Sequence, residues 1–188
     1  MAIDTSDFRN GLTIVQDGEV YQIVEFQHVK PGKGGAFVRT KLRHYSTGKV
    51  KDQTFRAGEK MEQAVLERRS LQFLYRAGDQ LAFMDMESFE QIEINEELLG
   101  DQAKWMVDGL EVTFVYWHDQ VIGVDIPAAI VAEVVQTDPG VRGDTAQGGS
   151  KPATLSSGAV VSVPLFINEG EQIKVDTRSG AYLERVKA

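Results

Sequence analysis

Glycine-bearing turns punctuate this chain at short intervals, and that spacing restricts what it can become. Asp17-Gly18, Pro31-Gly32-Lys33-Gly34-Gly35, Ser46-Thr47-Gly48, Ala57-Gly58 and Arg76-Ala77-Gly78-Asp79 each separate short stretches rich in Val, Ile, Leu and Phe. Short apolar runs closed by such turns read as strands of antiparallel sheets, and their regular spacing favours small barrels over βαβ units. The fold class is therefore all-β.

Three modules follow in order. In residues 1–64, Phe8, Leu12, Ile14 and Val15 begin a small barrel, and Val20, Ile23, Val24 and Phe26 continue it. A return strand over 36–42 and another over 50–55 complete it. The second module spans 65–127. The stretch 63–69 has helical propensity, yet Leu71, Phe73, Leu74 and Tyr75 read as a strand. Strands over 81–84, 89–94, 112–116 and 121–126 follow, with one short helix predicted from Leu98 to Val107 and stopped by Asp108-Gly109. Five strands with one helix fit an OB-like barrel. Pro127 opens the third module, 128–188, with strands at Ile130–Val135, 159–165, 173–175 and 181–186. The polar stretch from Thr137 to Lys151 is too rich in turn formers to be core. A module of about 60 residues holds only a marginal core by itself. Neighbouring modules are therefore expected to buttress one another in an elongated, fairly stiff rod.

One loop stands out. His28-Val29-Lys30-Pro31-Gly32-Lys33-Gly34-Gly35 lies between two strand-like runs, EVYQIVEFQ and AFVRTKL. Pro31 fixes its own φ, and glycines at 32, 34 and 35 admit backbone angles closed to other residues. The loop reads as a hairpin tip holding the Lys33 ammonium away from the body, with Lys30 and Arg39 nearby. Such a tip suits a phosphate or an RNA end; an ordinary glycine-rich hairpin with a solvated lysine is the plain alternative.

The formal net charge of −8 disfavours broad nucleic-acid binding. Its distribution is uneven. Residues 1–60 carry ten Lys/Arg against seven Asp/Glu, a net of +3, whereas residues 61–127 carry four against fourteen, a net of −10. Any RNA contact should then be local and dependent on shape. The absence of cysteine excludes disulfides, thiolate metal sites and thiol nucleophiles. The acidic first residues do not form a secretory signal, and no run approaches the 18–20 apolar residues of a bilayer span.

No enzyme is indicated. His28, His44 and His118 lie far apart and have no metal-ligand spacing. Residues 143–151 lack the Gly-Lys-Ser/Thr ending of a phosphate loop, and Gly-x-Ser-x-Gly is missing. Glu93, Glu96 and Glu97 read as a solvated acidic face. No catalytic residue, metal or cofactor is expected.

In its last module the chain carries Lys151, Ala153, Gly158, Val161, Val163, Pro164, Ile167 and Gly170 within KPATLSSGAVVSVPLFINEG. Thr137-Asp138-Pro139-Gly140, Gly143-Asp144-Thr145 and Val175-Asp176-Thr177-Arg178 accompany this pattern. With these motifs in order, and the lysine loop before them, the chain resembles the bacterial elongation factor P family along essentially its whole length. The resemblance implies an SH3-like (KOW-like) N-terminal barrel followed by two OB-fold barrels, in a tRNA-like outline. It implies a cytoplasmic, monomeric translation factor that acts without membrane attachment. Such a factor binds both ribosomal subunits between the peptidyl and exit tRNA sites and relieves stalling at consecutive prolines. Lys33 would reach the CCA end of peptidyl-tRNA and be the candidate modification site for a lysine-modifying enzyme. Lys30, Pro31, Gly32, Gly34 and Gly35 would support it, and Gly143, Asp144 and Thr145 would contact the ribosome near the exit-site codon. Family members carry a β-lysyl-type or aminopentanol-type group on lysine, rhamnose on arginine, or none. Lys33 excludes the arginine version, and Gly35 leaves the lysine chemistry open. The alternatives are the elongation-factor-P-like paralogue, against which the intact Pro-Gly-Lys-Gly tip argues, and a general single-strand RNA-binding barrel protein, which the charge count does not support.

Overall fold

The computed structural model describes residues 1–140 and 149–187. The short apolar runs between turns become paired strands. In the first module β1 (Ala2–Asp4), β2 (Thr13–Gln16), β3 (Glu19–Val29), β4 (Phe37–His44), β5 (Val50–Arg56) and β6 (Lys60–Gln63) form a six-stranded sheet ordered β1-β6-β2-β3-β4-β5. Ile3, Phe8, Leu12, Ile14, Ile23, Val38, Leu42 and Phe55 fill its interior. A 3-10 turn at Thr5–Asp7 carries a reciprocal cap, in which Asp4 accepts from the Ser6 amide while Asp7 accepts from the Asp4 amide. Thr5 is buried, and its Oγ1 accepts from Gly58 N at 2.8 Å.

The second sheet is ordered β11-β10-β7-β8-β9, from β7 (Glu67–Ala77), β8 (Gln80–Asp85), β9 (Gln91–Asn95), β10 (Glu111–Trp117) and β11 (Gln120–Asp125). Phe83 meets Phe73 and Phe114 edge-on, at centroid distances of 5.5 and 4.9 Å, which suits the ring quadrupoles. The expected helix departs from its prediction. Two 3-10 turns, Glu96–Leu98 and Gly100–Trp105, stand in its place. Asn95 caps the first by accepting from Glu97 N, and Gly100, at φ +56°, lies outside the right-handed helical region. A segment this short has too few bonds to repay α-helix nucleation.

The third sheet is ordered β14-β13-β12-β15-β16, from β12 (Ala129–Thr137), β13 (Ser150–Leu155), β14 (Val160–Pro164), β15 (Gln172–Asp176) and β16 (Tyr182–Val186). Ile130, Ala132 and Val134 of β12 face the core with Ile173 and Val175 of β15. One part of the polar stretch corrects its sequence reading. Lys151 stands in β13 and is buried rather than looped out.

By compactness the chain divides into Met1–Arg68 with Val115–Gly123, and Arg69–Phe114 with Val124–Ala188. Within the first unit the Tyr45 ring lies against Gly123, where an added Cβ would be 3.0 Å from it, and the Tyr45 hydroxyl accepts from Arg68 at 3.2 Å. Within the second unit Trp105 joins the core of the third sheet, beside Ile130 and Val175. A residue of the second module thus helps to fill the interior of the third. No helix among the described residues is long and apolar enough to cross a membrane.

Candidate functional site: a lysine on a hairpin tip

The antiparallel ladder of β3 and β4 runs from Tyr21↔His44 to Val29↔Phe37. A bulge between Ile23 and Glu25 interrupts the register and adds local twist. Underneath, Phe8 meets Phe26 edge-on at 6.1 Å and Phe55 at 5.5 Å, and Phe26 in turn meets His28 at 5.7 Å. Val38 is fully buried beside them. The stem that carries the loop is thus paired on its edges and packed on its inner face.

Beyond the last pair the chain is released. Lys30, Pro31, Gly32, Lys33, Gly34 and Gly35 are all exposed, and Ala57 N donates to Ala36 O at 3.0 Å where the chain returns. Lys33 has neither a hydrogen-bond nor an ion-pair partner among the described residues. The loop residues singled out by sequence are all exposed, and their backbone conformations differ. Only Gly34 takes a left-handed conformation, at φ +100°, while Gly32 and Gly35 do not. An added Cβ would meet nothing within 4 Å at any of the three glycines, so Gly34 is required for the turn and not for room.

Positive charge accompanies the tip. Lys30 precedes it, and Arg39 follows on β4 with its guanidinium 5.5 Å from the Phe37 ring centroid. The site has hydrogen-bond donors and cationic charge without an enclosing cavity. That arrangement leaves the Lys33 ammonium exposed and does not surround a small ligand.

The other predicted contact, Gly143-Asp144-Thr145, lies outside the described residues. Its flanks are described. Thr137 Oγ1 donates to Pro152 O at 2.9 Å, and the Lys151 ammonium donates to Asp138 O. The histidines serve local roles: His44 Nε2 pairs with Glu19 at 3.2 Å, and His118 occupies the β10–β11 turn at φ +49°. Among the described residues no three His, Asp or Glu side chains are grouped to hold a metal.

Comparison with known proteins follows this architecture module by module. Residues 4–61 match the elongation factor P KOW-like domain, residues 66–124 its OB domain, and residues 130–185 its C-terminal domain. Elongation factor P of Gloeobacter violaceus is 56% identical over 184 residues, covering 97% of this chain and 98% of that protein. Elongation factor P of Natranaerobius thermophilus is 56% identical over 185 residues, covering 98% of each. Among solved structures, the eukaryotic translation initiation factor 5A from Methanococcus jannaschii superposes with a TM-score of 0.54 at 24% identity, over 68% of this chain and 92% of that one. The class so defined is a translation factor built from a KOW-like barrel and OB-type barrels. Within it, the chain belongs to the elongation factor P family and is a translation elongation factor.

Proposed function

We propose that this elongation factor binds the ribosome between the peptidyl and exit tRNA sites and promotes peptide-bond formation at consecutive prolines. It does so by positioning the CCA end of peptidyl-tRNA. The observation that carries this reading is Lys33, an ammonium without a partner among the described residues, at an exposed tip on a well-paired, well-packed stem. The modules are bounded at 1–64, 65–127 and 128–188. Lys33 approaches the CCA end, Lys30 and Pro31 with Gly32, Gly34 and Gly35 shape its loop, and Gly143, Asp144 and Thr145 contact the ribosome near the exit-site codon. The factor works as a monomer in the cytoplasm, and a lysine-modifying enzyme extends Lys33.

The chemistry belongs to the ribosome, and the factor is not itself an enzyme. Proline's ring constrains the attacking amine, so the reactants meet in poor geometry. Correct orientation is worth up to about 7–11 kcal/mol in favourable reactions, and a wedge that steadies the CCA end recovers part of it. The Lys33 ammonium, or its extended form, supplies charge-assisted hydrogen bonds to backbone oxygens of the tRNA.

The test is Pro-Pro-Pro tripeptide formation in a reconstituted translation system, with protein from its native source beside Lys33→Ala. One lost charge-assisted bond of about 1.5–3 kcal/mol predicts a loss of acceleration of roughly ten- to a hundredfold. Because Lys33 has no partner among the described residues, the thermal midpoint should stay unchanged. Undiminished acceleration by the variant refutes the tip mechanism, and no acceleration by either protein favours the paralogue.

A further inference from the structure

Strand pairing at the stem of the lysine loop stops at Val29↔Phe37 and Phe37↔Arg56. One further backbone bond lies beyond it, from Ala57 N to Ala36 O at 3.0 Å. Ala57 belongs to a turn over residues 56–59 that is closed twice. The Glu59 amide donates to Arg56 O at 3.0 Å, and the Glu59 carboxylate accepts from the Arg56 amide at 2.9 Å. Gly58, at φ +79°, lets the chain make this turn. Its own amide takes a different partner and donates to Thr5 Oγ1 at 2.8 Å. The two central amides of one short turn thus join two separate segments, the return limb of the lysine loop and the N-terminal 3-10 turn. Thr5 is 2% exposed, and its turn is fixed by the reciprocal cap of Asp4 and Asp7 and by the pair Asp4↔Lys60 between β1 and β6. Valine has the same shape as threonine, so what the hydroxyl adds at this buried position is the acceptor for Gly58.

We infer that Thr5 is a positioning residue: its buried hydroxyl anchors the 56–59 turn, and the Ala57 amide of that turn holds the return limb of the Lys33 loop at Ala36. The bonds run from the barrel interior to the residue that directly follows Gly34 and Gly35, which have no side chains to steady the chain themselves. Thr5 is buried and touches no RNA. It sets where the return limb leaves the barrel, and so where the Lys33 ammonium is carried. This rests on the reading of Lys33 given above, and Lys33→Ala is the control that separates the two.

The test is the Pro-Pro-Pro assay at saturating factor, with the full-length chain produced in its native source and held well below its thermal midpoint. The variants are Thr5→Val, Thr5→Ser, Glu59→Ala, Lys33→Ala, and Thr5→Val combined with Lys33→Ala. Thr5→Val removes the acceptor and should lower the saturated rate about fivefold, which at about 1.4 kcal/mol per tenfold amounts to about 1 kcal/mol. Thr5→Ser keeps the acceptor and gives up a buried methyl. Its thermal midpoint should fall as that of Thr5→Val does, while its rate stays near the parent's, a split that a purely structural role would not produce. Glu59→Ala loosens the turn from its exposed side and should lower the rate by less. It carries the test if Thr5→Val fails to fold, as thermal unfolding will report. In the Lys33→Ala background Thr5→Val should cost nothing further, since residues acting as one unit are not additive. Equal rate losses for Thr5→Ser and Thr5→Val, a further loss in the Lys33→Ala background, or unchanged rates for Thr5→Val and Glu59→Ala overturn the brace and leave the Lys33 reading standing. Undiminished acceleration by Lys33→Ala overturns both.

Discussion

Replacing Trp105 by alanine should weaken the third module's core from outside its own chain segment. Trp105 closes the 3-10 turn Gly100–Trp105, yet it is 3% exposed among Ile130, Val134, Val163 and Val175. Its ring edge lies 3.8 Å from where a Cβ on Gly180 would stand, and the Lys104 ammonium sits 5.1 Å from a ring centroid. Truncating a buried aromatic of this size costs about 3–5 kcal/mol in lost transfer energy and residual cavity. A module of about 60 residues rarely draws more than about 3–5 kcal/mol from a core of its own. The substitution therefore removes an amount comparable with the module's whole independent stability. Urea unfolding followed by far-UV circular dichroism is the assay. With an m-value of about 2 kcal/mol/M, the midpoint should fall by about 1.5–2.5 M and the transition should become biphasic. Trp117, on the β10–β11 hairpin, remains as a fluorescent reporter of the first unit and should keep the higher midpoint. A fall of less than about 0.5 M with a single transition would show that Trp105 fills space without coupling anything.

Two further perturbations test local contacts in the second unit. The Asp85 carboxylate is held below its ordinary range by hydrogen bonds from the Ser88 and Glu87 amides, at 3.0 and 2.8 Å. A depressed folded value means that the bonus is present above the ordinary carboxylate value and is lost as pH falls through the folded one. Asp85→Asn should thus lower the thermal midpoint at pH 7, and the gap to the parent should close in acid; a gap unchanged between pH 7 and strong acid contradicts this. Gly140→Ala places a methyl 2.4 Å from the Leu165 carbonyl oxygen, so backbone must move, at a cost of about 1–3 kcal/mol. The midpoint should drop by about 2–4 °C per kcal/mol, and an unshifted midpoint would mean that the close approach is absent in solution.

What could be read from the chain, and what could not, divides along the range of the interactions. Strands such as β12 were legible as a β-branched apolar run, Ile130, Val131, Val134 and Val135, closed by turn formers, a signal contained within the strand itself, although the fold exposes Val131 and Val135. The 3-10 geometry at 96–105 was not legible as such, since the apolar spacing of Leu98, Leu99 and Ala103 suits a helix and only the conformation at Gly100 breaks it. The destination of Trp105 was hidden because its partners begin some 25 residues later, beyond the reach of any local pattern. Lys151 shows the same limit with a clue left unused: Lys151, Ala153 and Leu155 fall in one period-two phase, and all three are buried. Polarity argued for a loop, and the carbonyl that satisfies the ammonium lies 13 residues upstream, so no neighbouring residue announced it. Lys33 is the opposite case. A hairpin tip needs only its turn residues and flanking strands, all of them adjacent in sequence, so its exposure could be predicted. For the same reason the fold places no constraint on which side chain occupies that tip. Nothing among the described residues holds the Lys33 ammonium, so the fold alone does not account for a lysine at that position.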